Sequence, residues 1–357
     1  MKKVLFAALA AAVLAGAGAI AAGAPCWADD KTAKDKPETA TIRWARGTSG
    51  NGLVTVAKRL GYFKEYGLDV VEINMEDDSG TALVAGTIDV VSNNGTNDPL
   101  SAIAAGNDII IFGGHMLTGC MPIIAQKDTE WKGIESFIGK KIACPPDQFA
   151  LTGALLKLGH DPLKEAEWMV LPTQSDRVAA VVSGEADFGV IGTGQMYSIL
   201  NMPNIKIVNF MSDITPNYSC CRLYTRTNFL KENPTTFKLL MKAQLRAQAY
   251  YEKNKKEVVK WMAEEIGANE DYVASYMLNE HYRINADPIK DRVIDAWNVL
   301  DKTGFLSENA KNIKITDHID TALYKAALDE LMADEKIYSQ DKEFYDRQLK
   351  FFEENNH

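Results

Sequence analysis

The chain has 357 residues, 46% hydrophobic and 24% charged, with 25 Gly and 12 Pro. That composition is globular, excludes disordered, collagen-like and coiled-coil chains, and at this length predicts two domains. The formal charge is −9, from 39 Lys+Arg against 48 Asp+Glu, and phosphate backbones need clustered cations, so nucleic acid is excluded as a partner. The longest internal basic run, from Lys253 to Lys256, is interrupted by Asn254 and bracketed by Glu252 and Glu257; it reads as a solvated helix face.

Lys2-Lys3 precedes an uncharged, Ala- and Gly-rich stretch from Val4 to Ala24. Small residues follow at once, which marks a secretory signal peptide over residues 1–28 rather than a membrane span. Cleavage after Ala28 puts Cys26 and Ala28 at the two selective small positions. Cys26 leaves a lipoprotein anchor open, although Gly23-Ala24-Pro25 makes a poor lipobox. No later segment is long and apolar enough to span a bilayer, so a soluble exported protein is expected, in the periplasm. Residues 29–39 are charged and contain Pro37, and predict a flexible tether.

Two copies of one design follow. Thr41 to Ala45 reads as a strand, the turn from Arg46 to Gly52 is Gly-rich, and Leu53 to Leu60 is helical, stopped by Gly61. The order recurs as strand Lys140–Cys144, polar turn Pro145–Gln148, and helix Leu151–Leu158 stopped by Gly159. Between them, Thr81–Ala85 is helical and ends at Gly86, and strand Asp89–Ser92 runs into Asn93, Asn94 and Gly95. Likewise Arg177–Val182 ends at Gly184, and strand Asp187–Ile191 runs into Gly192-Thr193-Gly194. In both, Gly supplies the helix C-cap and a short strand buried on both faces follows. Helices alternating with such strands predict parallel α/β sheets.

Ligands of such sheets sit beyond the carboxyl ends of the strands. Here those ends carry Thr48 and Ser49; Asn93, Asn94 and Gly95; Asp147 and Gln148; and Thr193 to Gln195. Any one of these loops is ordinary turn chemistry; their matched repetition in both halves points to a ligand site. After Tyr218 the texture turns helical. Asn233-Pro234 opens a helix to about Asn254, Lys255–Ile266 ends at Gly267, and Asn269 restarts another. Asp287-Pro288 opens one to Lys302, Asp317 caps one to about Met332, and Gln340–Asn355 is the last. Their apolar spacing is that of core packing.

The run from Gly61 to Val70 (GYFKEYGLDV) resembles a signature of ABC-importer substrate-binding proteins of the sulfonate/nitrate/taurine and NMT1/THI5-like group. Gly86–Val90, the WKGIESFIGKK run from Trp131 to Lys141, and Gly184–Asp187 fit the same pattern in the same order. The similarity covers roughly residues 41–260. It implies an α/β type II periplasmic-binding-protein fold: two α/β lobes joined by two crossing strands, with C-terminal helices. The crossings are expected near Cys120–Ala125 and Ser219–Thr225. Lobe 1 would then comprise residues 40–119 and 222–357, and lobe 2 residues 120–221. The resemblance also implies a monomeric periplasmic receptor that hands a small molecule to an ABC permease in the inner membrane.

Enzyme signatures are missing. The five histidines are scattered, no Gly-x-Ser-x-Gly elbow or Walker A occurs, and Asp187-Phe188-Gly189 stands without the other kinase motifs. Yeast-type pyrimidine synthases of the resembled group carry a Cys-rich iron motif, whereas this chain has only Cys220-Cys221. No catalytic residue, cofactor or metal is therefore assigned, and an exported enzyme or sensor on the same fold stands as the alternative. The crossing strands carry Cys120 and Cys220-Cys221. Strand neighbours point to opposite faces, so Cys120 is expected to bridge to Cys220 or Cys221, with Cys144 free. Small buried thiols, or a metal site with His115, are the competing readings. In the cleft, Arg222 and Arg46, with the helix N-termini at Gly50–Leu53 and Ala150–Thr152, could hold an anionic group. Phe149, Trp44 and Tyr218 could stack on a planar one. His115, after the buried strand Ile109–Phe112, is a polar contact or a satisfied structural group. A small organic anion (sulfonate-like or carboxylate) leads, and a thiamine-pyrimidine-like heteroaromatic vitamin precursor is the runner-up.

Overall fold

The structure, a computed structural model, describes residues 35–75, 78–92 and 94–357. The expected signal peptide, Cys26, most of the tether and Asn93 lie outside the described residues. In chain order the strands are β1 (Thr41–Arg46), β2 (Asp69–Asn74), β3 (Val90–Val91), β4 (Ile109–Gly114), β5 (Met116–Thr118) and β6 (Pro122–Gln126). There follow β7 (Lys141–Ala143), β8 (Glu167–Trp168), β9 (Phe188–Val190), β10 (Ile205–Phe210), β11 (Arg222–Arg226) and β12 (Arg283–Ile284).

These strands build two five-stranded sheets of one plan. The first runs β2-β1-β3-β11-β4 and the second, read from its other edge, β8-β7-β9-β6-β10. In each, the strands expected to be parallel are so (β2-β1-β3; β8-β7-β9), and one strand delivered from the other half enters antiparallel: β11 in the first and β6 in the second. Strands covered on both faces need continuous apolar runs, and β4 is buried at all six positions. This is the two-lobed periplasmic-binding-protein fold. Among the described residues no helix is long and apolar enough to cross a membrane.

The chain passes between sheets at 115–121 and returns at 211–221, a few residues earlier than expected. Ile123–Ala125 already belong to β6 and Arg222–Thr225 to β11. The two crossings are hydrogen-bonded: Cys220 N donates to Leu117 O (3.1 Å), Cys221 N to Met116 O (3.0 Å) and His115 N to Cys221 O (3.1 Å). From the C-terminal region β12 pairs with β5, adding a third segment to the crossing.

Helix ends follow local chemistry. Asn51 caps Gly52–Arg59 by accepting from Leu53 N and Val54 N. Thr173 and Asp176 form a capping box on Gln174–Ser183, which ends at Gly184 in the left-handed region (φ 76°). Three expectations shift. The helix assigned to an Asp317 cap runs Ala322–Ala333; Asp317 sits in a short 3-10 turn, and Asp320 is the carboxylate that accepts a first-turn N–H, from Leu323 at 2.9 Å. The Asp287-Pro288 helix starts at Lys290, because the Asp287 carboxylate holds Ile289 N (2.7 Å) in a turn ahead of it. Finally, the tether is docked from Glu38 onwards. Its carboxylate accepts from Thr235 N (3.0 Å) and Thr236 N (2.8 Å), and Thr39 N donates to Thr236 Oγ1 (3.1 Å).

Candidate functional site

A cavity of about 390 Å³ opens between the strand ends of the two sheets. From the first sheet it is lined by Thr48 and Ser49 after β1, and by Gly95, Thr96 and Asn97 after β3. From the second come Gln148 and Phe149 after β7 and Gly192 to Gln195 after β9, with Gln174 at its helix start. The crossings supply Met116, Met121, Tyr218, Cys220 and Cys221, and Tyr272 reaches in from the helix Glu270–Met277.

Seven of the expected site residues therefore share one cavity: Thr48, Ser49, Gly95, Gln148, Phe149, Thr193 and Gln195. Four described ones do not line it. Asn94 lies beside it, its amide donating to Asp98 Oδ2 (2.8 Å). Asp147 accepts from Asn97 Nδ2 at 2.7 Å, a bond that spans the gap between the loops after β3 and β7. Arg222 is fully buried, and its guanidinium donates to the carbonyls of Asp287 (2.7 Å) and Met116 (2.8 Å). It braces the crossing from beneath rather than reaching a ligand. His115 is 1% exposed; burial, with Arg222 adding to it against the bond to Ser92, lowers its pKa to about 4. A neutral ring whose Nδ1–H donates to Ser92 O (3.2 Å) keeps Nε2 as an acceptor, and that atom is buried without a partner.

The other expected contacts resolve the same way. Arg46 pairs with Glu72 (3.4 Å) outside the cleft, and Trp44 is fully buried with its indole N–H on Ser92 Oγ (2.8 Å). The N-terminus at Gly50–Leu53 is taken by the Asn51 cap. At the helix Phe149–Lys157 the side chain of Gln148 makes no capping bond, and the same holds for Thr96 at Asn97–Ala104. Thr96 instead spends its hydroxyl on Ser219 O. The helix at Phe149 thus presents an uncapped first turn beside the cleft, whereas the first turn at Asn97 carries Asp98 and Pro99. Among the described lining residues none is Asp, Glu, Lys, Arg or His, so the wall is neutral: amides, hydroxyls, three aromatic rings and four sulfurs.

The expected disulfide is not formed. Cys120, Cys144, Cys220 and Cys221 are all buried and free. The reasoning from alternating strand faces fails because Ser219 adopts φ 66°, so this segment is not a regular strand. Cys220 and Cys221 consequently face the same cavity with their sulfurs 3.7 Å apart. Burial raises Cys120 and Cys144 to about 12. Among the described residues there is no group of three or more His, Cys, Asp or Glu side chains placed to hold a metal.

Sequence reasoning missed Thr96, Asn97 and Gln174, which the strand-end rule extended by a few residues would have reached. It also missed Met116, Met121 and Tyr272, for which no local signal exists.

Comparison with known proteins agrees with this architecture. A family described as NMT1/THI5 like matches residues 52–258. The chain belongs to that family. No curated protein matches it. Among solved structures, the periplasmic nitrate-binding protein NrtA of Synechocystis PCC 6803 is similar at TM-score 0.67 and 17% identity, covering 85% of this chain and 91% of that one. The periplasmic aliphatic sulphonate binding protein SsuA of Escherichia coli gives TM-score 0.65 and 18% identity over 79% and 92%. The desulfurization enzyme DSZB is similar at TM-score 0.57 and 12% identity over 82% and 99%. At these identities the likeness is one of fold.

Proposed function

We propose that this NMT1/THI5-like protein is a periplasmic solute receptor of an ABC importer, exported by the signal peptide at residues 1–28 and acting as a monomer. It closes its lobes on one small molecule and delivers it to a membrane permease. The observation that carries this reading is the cavity itself, walled by the strand ends of both sheets and floored by the two crossings. A floor made of crossing segments is where a hinge between lobes opens and closes. Sheet membership supports lobes of 40–119 with 222–357, and 120–221.

The leading solute is a small organic anion with one negative charge. With no cationic side chain on the wall, its acidic group would sit on the uncapped first turn at Phe149, and its body on Phe149, Tyr218 and Met121. Structural neighbours that bind nitrate or aliphatic sulphonate, and one bound to MOPS, support an anionic solute. A second reading, a neutral heteroaromatic solute, is favoured by the same absence of charge together with the rings of Phe149, Tyr218 and Tyr272. The shared fold with a desulfurization enzyme keeps an enzymatic alternative defined, and turnover of any bound solute would establish it.

Thermal-shift titration with alkanesulfonates, carboxylates and aminopyrimidines tests the reading. A saturating, dose-dependent rise with one class is expected. No shift with any of them, and no small molecule co-purifying in native mass spectra, would remove the receptor assignment. Loss of uptake of that solute on deleting the protein separates an importer from a sensor.

A further inference from the structure

The floor of the cleft holds a chemistry the receptor reading does not use. Cys220 and Cys221 are 9% and 3% exposed, both line the cavity, and their sulfurs stand 3.7 Å apart. Met121 is close by: a Cβ on Gly119 would lie 2.9 Å from Cys220 Sγ and 3.4 Å from Met121 Cγ. Thiols of adjacent residues do not close a relaxed disulfide, because their Cα atoms are about 3.8 Å apart and unstrained bridges need roughly 4.4–6.8 Å. They suit a shared ion far better. Two sulfurs each about 2.3 Å from one metal stand about 3.8 Å apart at a tetrahedral angle and about 4.0 Å at a trigonal one.

We propose that Cys220 and Cys221 form a binding site for a soft monovalent metal ion of the Cu(I) class, with the Met121 side chain on the same cavity wall to supply a third sulfur. Thiolate and thioether sulfur select such ions over hard cations. Two S–metal bonds form, each thiol releases its proton to solvent, and the metal is neither oxidised nor reduced. The buried guanidinium of Arg222, whose field reaches both sulfurs, balances the negative charge the centre acquires.

The probes are Cu(I), supplied anaerobically, and Ag(I), which cannot change oxidation state under the same conditions. Native mass spectrometry in the presence of a competing chelator is expected to show one ion per chain. C220S and C221S each lose it and C120S keeps it. On the unmodified protein, bound metal slows alkylation of Cys220 by N-ethylmaleimide at least about tenfold, mapped by peptide mass; this arm decides the question if a variant does not fold. Failure of the unmodified protein to retain either ion, retention by the C220S/C221S double variant, or alkylation unaffected by metal overturns the proposal. Solute binding measured in parallel stands or falls separately.

Discussion

Single buried groups decide how this molecule responds to acid. His115 and Asp287 both flank the buried Arg222, and burial moves them in opposite senses. His115 falls from 6.5 to about 4. Asp287 rises from 3.8 to about 6, since burial outweighs its bonds to Asn356 and Ile289 and the Arg222 charge. As pH drops from 6.5 to 4 the unfolded state takes up the His115 proton first, and stability is lost. As it drops from 6 to 3.8 the folded state takes up the Asp287 proton first, and stability is gained. The two slopes oppose each other. Asp287→Asn removes the compensation and leaves an amide oxygen for Ile289 N. Urea unfolding of that variant is expected to lose up to about 3 kcal/mol between pH 6.5 and 4, with the unsubstituted protein changing much less over that range. Equal slopes would refute the pairing. The opposed shifts were not legible in the sequence, where His115 read as a polar contact or a satisfied structural group and Asp287 as a helix start.

At the scale of elements, the helix Pro234–Lys253 shows how a segment read as a loose tether acquires a structural role. Pro at its first position was legible, and Asn233 was expected as its cap, yet the Asn233 side chain makes no capping bond. Glu38, nearly 200 positions earlier, does that work. Burial acts against its charge, but the hydrogen bonds from Thr235 and Thr236 hold the carboxyl down at about 2. Glu38→Ala is expected to cost about 1 kcal/mol in chemical denaturation, and the cost should vanish as the pH falls from 4.5 towards 2, where the carboxylate is protonated. A cost unchanged at acid pH would assign it to something other than the cap. Local rules otherwise served well. Gly61, Gly86, Gly184 and Gly267 all adopt the positive φ expected of helix stops. They failed at Asp317, where two carboxylates three residues apart, Asp317 and Asp320, made the choice of cap a matter of tertiary placement.

For the whole molecule, the bond from Asn97 to Asp147 across the cleft is a latch between lobes. Asn97→Ala is expected to weaken solute binding at least about tenfold, the worth of one hydrogen bond to a charged group, while leaving the thermal midpoint without solute nearly unchanged. A midpoint that falls instead would make the bond a packing element. Because the wall is neutral, affinity should change less than about threefold between low salt and about 0.5 M salt, as read by calorimetry; a steep dependence would require a cation the described cavity does not contain. The paired-lobe plan, the alternation of strand and helix, and the loops that wall the cleft were determined by the sequence alone. They follow from local periodicity and turn chemistry, which repeat once in each half. Only the tertiary structure decided which polar groups face the gap. Arg222 and His115 turn inward beneath the crossing while Cys220 and Cys221 both turn into the cavity, because one left-handed residue at Ser219 breaks the alternation that a strand would impose.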